Sequence, residues 1–535
     1  MSIPKFTGRD CEVSTTGIDA AGRPIDAGTV TREILARVPA ALEKLGATYW
    51  SRDLSWRNQF SSHAFVGTTY REYLRIWSSA GQCFYPDMGH VELCTPSCLG
   101  PRTLACHALA VLTVAEEARR IAEEEADDGV RYALSASNAD ILDPAISFGS
   151  HINVTVEEPL WDMLLVDQQR PAVLGWVASG LAAAVPFFGA GHLLPLKDGA
   201  TVYSLSARAH HVSRMATFST TQPFERGLLN SRREPHGEDH QRLHLIAFDF
   251  AVLPEALLCS FLQCLLAAAE EGCCRLNLYD PVRAMRTWSW GLDHSTGKLE
   301  GRAMLTDGRW LTLPEYMGEI TAELLRMCES GLIPPRIAPG AADLLPRIAD
   351  LARYAAEGSL ARCARHLTWA SKLLLLTELC RRESLDFGDP AVRLADHDYL
   401  GTDPRRGAFW KLWDAGVIDP LVQRESVLPC LSDGPPESRD WARGRLVRRF
   451  RDDITDVDWS YVQFRRTRDL WGQRFRIDLP HLESLNRAAF ETIIDDAEDV
   501  GHLEELLDRH AAGVARQFDP VSNITPLLAS YEEET

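Results

Sequence analysis

Residues 81–96 read GQCFYPDMGHVELCTP. An aromatic pair, an Asp, a His and a Glu crowd between two stretches of helical pattern. Asp87 and Glu92 are five residues apart, so in one uninterrupted strand they face opposite sides. A turn or bulge at Pro86–Gly89 lets both point into one site, and Gly89 suits such a reversal. Taken alone, the segment is equally a polar edge strand that happens to be acidic.

Outward from it, the chain repeats the theme. The stretch KFTGRDCEVSTT, residues 5–16, alternates in strand fashion and sets Asp10, Glu12 and Ser14 on one face. Clustered carboxylates repel one another, and a divalent cation such as Mg²⁺, which takes oxygen ligands, relieves them. A basic block follows: SARAHH (206–211) and NSRREPHGEDHQRLH (230–244) supply Arg208, Arg232, Arg233, His236 and Arg242. The arginine fork suits polyphosphate because it donates in pairs and keeps its charge. Arginines facing a carboxylate-held metal are what phosphoryl transfer requires. A solvent-facing acidic edge and a solvated basic face are the competing structural readings. There is no G-x-x-x-x-G-K-[ST] loop and no G-x-G-x-x-G, so any nucleotide binds through held metal and arginines. Neither G-x-S-x-G nor H-E-x-x-H is present, and His210 and His211, being adjacent, diverge on a strand.

Composition bounds the function. A formal net charge of −19 argues against a general nucleic-acid binder, which needs a basic face. The 13 cysteines form no C-x-x-C pair. With no apolar leader at the start, they read as reduced thiols in a cytoplasmic protein. Residues 172–196 carry no charged side chain and are long enough to span a bilayer. Pro186 and several glycines interrupt them, so a buried helix, a turn and an apolar strand are expected, with no membrane.

At 535 residues, two to four domains or one large unit with an appendage are expected. Helices are read at 29–45, starting near Thr29 or Thr31, at 103–125, at 254–271 and through most of 315–385. Strands are read at 130–137, 145–156, 200–212 and 242–250. The Pro/Gly/Ser stretch 427–440 marks a boundary, giving units 1–426 and 427–535. The basic-aromatic run 439–475 reads as a domain interface, since arginine stems pack on aromatics. An acidic helical tail follows from 481 and frays at its end. The fold class is α+β.

These segments, in this order, resemble the family of the Pup ligase and the Pup deamidase/depupylase. The resemblance is carried by GRDCEVS (8–14), FYPDMGHVELCTP (84–96), GSHINV (149–154), SLSARAHHV (204–212) and NSRREPHGEDHQRLHLIAFD (230–249). Later matches are WASKLLLL (369–376), DHD (396–398), PPESRDWARGR (435–445) and VDW (457–459). It implies a glutamine-synthetase-like antiparallel sheet packed by helices, with a smaller C-terminal domain. It implies ATP and Mg²⁺ as cofactors. Asp10, Tyr85 and Glu92, with Glu12 and His236 beside them, are the implied metal set, and Asp87 is the implied catalytic residue. Thr95, Arg208, Arg232 and Trp459 are the implied nucleotide contacts. The implied partners are a Pup-like protein tail and a protein lysine or a small-molecule amine. The implied activity is ATP-dependent ligation at a glutamate side chain, or hydrolysis of the corresponding amide or isopeptide bond, with a divergent non-catalytic paralogue as the further alternative. Three departures stand out. Asp10 is one methylene shorter than the glutamate expected there, Cys83 replaces a nucleotide-contacting arginine, and Ile152 replaces a glutamate, removing a carboxylate from the site. The five-residue Asp87–Glu92 spacing is that of the deamidase.

Overall fold

The computed structural model describes residues 2–52, 74–141, 143, 146–167, 171–196, 198–220, 225–234, 240–465, 474–483, 485–510 and 515–518. Its centre is a ten-stranded sheet. The strands are β1 (Thr7–Ile18), β2 (Tyr49–Ser51), β3 (Ile76–Ser78), β4 (Cys83–Asp87), β5 (His90–Cys94), β6 (Arg131–Ser135) and β7 (Ser150–Glu157). After a separate hairpin of β8 (His192–Pro195) and β9 (Thr201–Ser204) come β10 (Val212–Thr217), β11 (Arg226–Asn230) and β12 (His240–Leu245). The order is β10-β11-β12-β7-β1-β5-β4-β3-β2, with β6 on β1. The α+β reading holds. The sheet is mixed rather than purely antiparallel, because the edge pair β10–β11 runs parallel.

β1 alternates as its sequence demands. Cys11 and Val13 are buried in the main core, while Asp10 and Glu12 face the other way. That core continues into the helices Pro101–Glu125 and Glu255–Glu270. The uncharged stretch folds as a buried helix, Pro171–Phe187, with Pro186 in its last turn, followed by β8. Among the described residues no single helix is long and apolar enough to cross a membrane. All thirteen cysteines are free.

Several elements differ in extent from the sequence reading, among them the strand read at 242–250, which ends at Leu245; two have clear causes. The helix read at 29–45 is two, Ala27–Leu35 and Val38–Lys44, with Pro39 in the first turn of the second. Its N-cap is Asp26, which accepts from the Thr29 amide, rather than Thr29 or Thr31. The strand read at 200–212 stops at Ser204. Beyond it the chain wraps the buried Asp249 carboxylate, which accepts from Ser206 Oγ (3.1 Å) and from the amides of Ala207 (3.0 Å) and Arg208 (3.1 Å). Satisfying that carboxylate outweighs continuing the ladder. The YEEET terminus lies outside the described residues.

A second hydrophobic core gathers the helix Arg439–Phe450, the strands Ile454–Asp458, Tyr461–Arg465 and Arg474–Asp478, and the helices Arg487–Asp496 and Val500–His510. Trp77, Cys83 and Cys94 of the main sheet belong to it. The helix approaches closely because of Gly444: a Cβ there would stand 2.1 Å from the Ser79 carbonyl oxygen. Arg443, almost wholly buried, locks the contact. Its guanidinium lies over the Trp77 and Trp459 rings (4.5 and 5.5 Å), donates to the carbonyls of Gly81 and Trp459 (3.1 and 3.0 Å) and pairs with Asp440 (2.8 Å).

Beneath the β8–β9 hairpin, Asp396 is buried with two partners, Lys372 (3.0 Å) and His192 (2.9 Å). Burial pushes its carboxyl up, but Lys372, His192 and the Leu193 amide together hold it well below the usual carboxylate range. A depressed folded-state value means that this stability is present above the unfolded carboxylate value, near 4, and is lost as pH falls towards the folded one. Asp396→Asn leaves Lys372 buried without its counter-charge. The expected loss is about 3–5 kcal/mol in urea unfolding at neutral pH, and the deficit should shrink on acidification as the wild type loses its own ion pair.

Candidate active site

The acidic segment folds as a tight hairpin. Asp87 pairs with His90 across a two-residue loop, Met88–Gly89, with φ of +45° and +93°. Positive φ at both positions is the geometry that matches strand twist in two-residue hairpins, and Gly89 adopts it freely. Because directly opposed residues share a face, the register Tyr85↔Glu92 and Asp87↔His90 puts all four on one side. The hairpin is thus the turn that the odd spacing requires.

β1 brings the next acids. Its partners in register are Asp10↔Cys94 and Glu12↔Glu92 on β5, and Asp10↔His151 and Gly8↔Asn153 on β7. β12 adds Arg242 and His244, the latter opposite Asn153. A cavity of about 570 Å³ lies over this face. Its floor includes Asp10, Tyr85, Asp87, Glu92 and Thr95, and its far wall includes Arg439, Asp440, Asp458 and Trp459 from the second core.

The acids stress one another. Burial, then Asp10, Asp87 and Glu12, push the Glu92 carboxyl well up, against a hydrogen bond from Tyr85. Burial also raises Asp87, whose carboxyl is in hydrogen-bond contact with Glu92 and with the Met88 amide. The Tyr85 phenol is raised by burial and by the neighbouring Cys94, Glu92 and Asp10, so it stays protonated. Asp10 accepts from Asn153 Nδ2 at 2.8 Å. The donor atoms of Asp10, His151 and His244 lie within 4.8 Å of one another. Burial and nearby arginines hold His151 down at about 3, so its imidazole is neutral and able to ligate. Repelling carboxylates beside the neutral His151 imidazole form a donor set that fits a divalent cation.

Cations line the opposite side. Arg232 donates to the Phe218 carbonyl (3.1 Å) and stacks on that ring, and Arg242 pairs with Glu234. Arg75, just before β3, lies over the Tyr85 ring at 5.3 Å. Thr95 sits on the floor, its Oγ1 accepting from the Arg9 amide. The Trp459 ring meets Trp77 edge-on at 4.6 Å and faces the cavity.

Asp10, Tyr85, Asp87, Glu92, Thr95, Arg232 and Trp459 therefore converge as the sequence led us to expect. Two others do not. Arg208 is buried outside the cavity wall, its guanidinium given to the Phe148 and Ile246 carbonyls and Ser147 Oγ. The turn around Asp249 carries it there, and burial lowers it to about 10. Glu12 shares the Asp10 face, but its carboxylate accepts the Gly149 amide at 2.6 Å and does not line the cavity. His236 lies outside the described residues. The significance given to Ile152 is also corrected. Opposite Arg9 on the core face, it is buried among apolar side chains and removes nothing from the site. Cys83 is buried at the second core, and the nearby cation of the cavity wall is Arg75. Arg75, His151, Asn153 and His244 were not singled out beforehand. For the last three, the signal was the i, i+2 spacing of polar residues in GSHINV and QRLHL; Arg75 stands in no motif.

Comparison with known proteins places the chain in a family. The chain is 27% identical over 438 residues to the Pup deamidase/depupylase of Mycolicibacterium smegmatis, covering 80% of this chain and 82% of that one. It is 28% identical over 413 residues to the Pup–protein ligase of Kineococcus radiotolerans, covering 72% and 84%. Its fold superposes on the ligase PafA solved in complex with Pup, with a TM-score of 0.71, 20% identity and coverage of 95% and 93%. PafA solved with ADP gives a TM-score of 0.67 at 21% identity, over 86% of this chain and 94% of that one. The Pup-ligase protein family profile matches residues 18–463, most of the chain, and the chain belongs to that family.

Proposed function

We propose that this chain catalyses ATP-dependent bond formation at the side-chain carboxyl of a glutamate that ends a Pup-like protein tail, with a lysine amine as acceptor. The observation that carries the reading is the hairpin: it sets Asp87 beside the Asp10–Tyr85–Glu92 cluster in the same cavity as Arg75, Arg232, Arg242 and Trp459. In this reading Asp10, Tyr85 and Glu92 hold Mg²⁺, which neutralises and orients the phosphates when bound. Thr95 and Trp459 position the nucleotide. Arg232 and Arg242 face the charge that develops on the transferred phosphoryl group. The tail carboxylate oxygen attacks the terminal phosphorus, ADP leaves, and the lysine nitrogen displaces phosphate from the acyl group. Asp87 takes the proton that the amine sheds.

A second reading has its own support. The two-residue Met88–Gly89 turn gives the deamidase spacing, and the Mycolicibacterium relative carries that name. In that reading water replaces the amine and Asp87 activates it. Incubation with ATP, MgCl₂, a lysine-bearing acceptor protein and a Pup-like peptide ending in Glu or Gln separates the two. ADP release tied to conjugate on the Glu peptide supports ligation, and a gain of about one dalton on the Gln peptide supports hydrolysis.

Asp87→Asn should lower turnover by about 10²–10⁴-fold while ADP affinity in calorimetry holds. Unchanged turnover overturns the role given to Asp87.

Metal binding has a stability signature. Glu92 is raised in the folded state, so without divalent cation the protein should lose stability as pH climbs above the ordinary carboxylate range. Millimolar MgCl₂ should restore the melting temperature at pH 8. Glu92→Gln should melt higher than wild type without metal and respond little to its addition.

A further inference from the structure

Among the arginines of the cavity wall, one stands apart. Arg232 is tied to the Phe218 carbonyl, Arg242 to Glu234, and Arg439 to the Leu479 carbonyl. Among the described residues the Arg75 guanidinium makes neither a hydrogen bond nor an ion pair; its one contact is the face of Tyr85. Its backbone is fixed at the start of β3, where its carbonyl accepts the Arg52 amide at 3.2 Å. Burial disfavours its charge, but neighbouring groups, Asp458 among them, outweigh it and hold the guanidinium above its ordinary value. A half-buried guanidinium that lines the cavity, its donors left unspent by the described residues, is placed to meet an anion that enters there.

The place of the group says which anion. Tyr85, beneath it, hydrogen-bonds Glu92 of the acidic cluster, and Asp458, beside it, precedes Trp459. Arg75 thus stands between the floor proposed to hold the metal and the wall proposed to position the nucleotide. Its position over the Tyr85 ring places a guanidinium fork where an ammonium would offer only a point charge.

We propose that Arg75 is a phosphate-binding residue of this cavity, donating to the non-transferred phosphates of the nucleotide. This deepens the reading of the cavity as a nucleotide site and rests on it. Adenosine is expected to be indifferent to Arg75, and ADP to depend on it.

The test is calorimetry with ADP–Mg²⁺ and with adenosine on the full chain. Wild type should bind ADP, and Arg75→Met should weaken ADP by about 10- to 100-fold, the value of hydrogen bonds to a charged group, with adenosine binding unchanged. Arg75→Lys, which keeps the charge but loses the fork, should fall between and decides the matter if the Met variant fails to fold. Equal ADP affinity in wild type and both variants overturns the assignment while the nucleotide reading stands. An equal loss for adenosine and ADP also overturns it, since that reports only disturbed packing on Tyr85. If wild type binds no ADP, the nucleotide reading falls and the assignment with it.

Discussion

β1 is hydrogen-bonded on both edges, and the rest of the site depends on that double pairing. Asp10 stands opposite Cys94 on one side and His151 on the other. A slip of one residue in either ladder would turn every functional side chain into the core and every core side chain into the cavity. Cys11 and Val13 oppose such a slip, because exposing them would forfeit roughly 2 kcal/mol each of apolar burial. The hydrophobic face of the strand is what holds the polar face in register.

On that polar face the protein tolerates strain that an ordinary sheet avoids. Asp87 and Glu92 are drawn together with Asp10 at a floor where burial raises the first two carboxyls, and the hydrogen bonds of Met88 and Tyr85 do not fully offset it. Functional sites are where such costs are kept rather than removed. Behind the sheet the opposite rule applies. Arg9 pairs with Glu255 at 3.2 Å, and Asp249 is wrapped in amides. Charge is matched where it only supports the fold and left unmatched where a ligand is to be met.

Much of this was legible in the sequence. Alternation in GRDCEVS gave the faces of β1, and Gly89 in a tight segment marked the reversal that aligns Asp87 with Glu92. The errors have physical causes. Arg208 sits in a segment with strand-like alternation, but the pull of the Asp249 carboxylate on three donors bends the backbone and carries the guanidinium away. Ile152 seemed a loss to the site because motif matching does not record which face a residue takes, whereas the β7 register does. Arg75 was invisible because its place depends on lying over Tyr85, a contact between strands with no local pattern.

The Arg443 contact bears on how the cavity comes into being. Its hydrogen bond to Gly81 joins groups 362 residues apart in the chain. Contacts of such separation carry a large loop-closure entropy and form late. The floor of the cavity can assemble from the first half of the chain, but its far wall arrives only when the last fifth has folded and docked. During synthesis the carboxylate floor therefore stands open until residues 439–460 have emerged and docked, and a partly made chain holds the acids without the aromatic wall that closes the cavity.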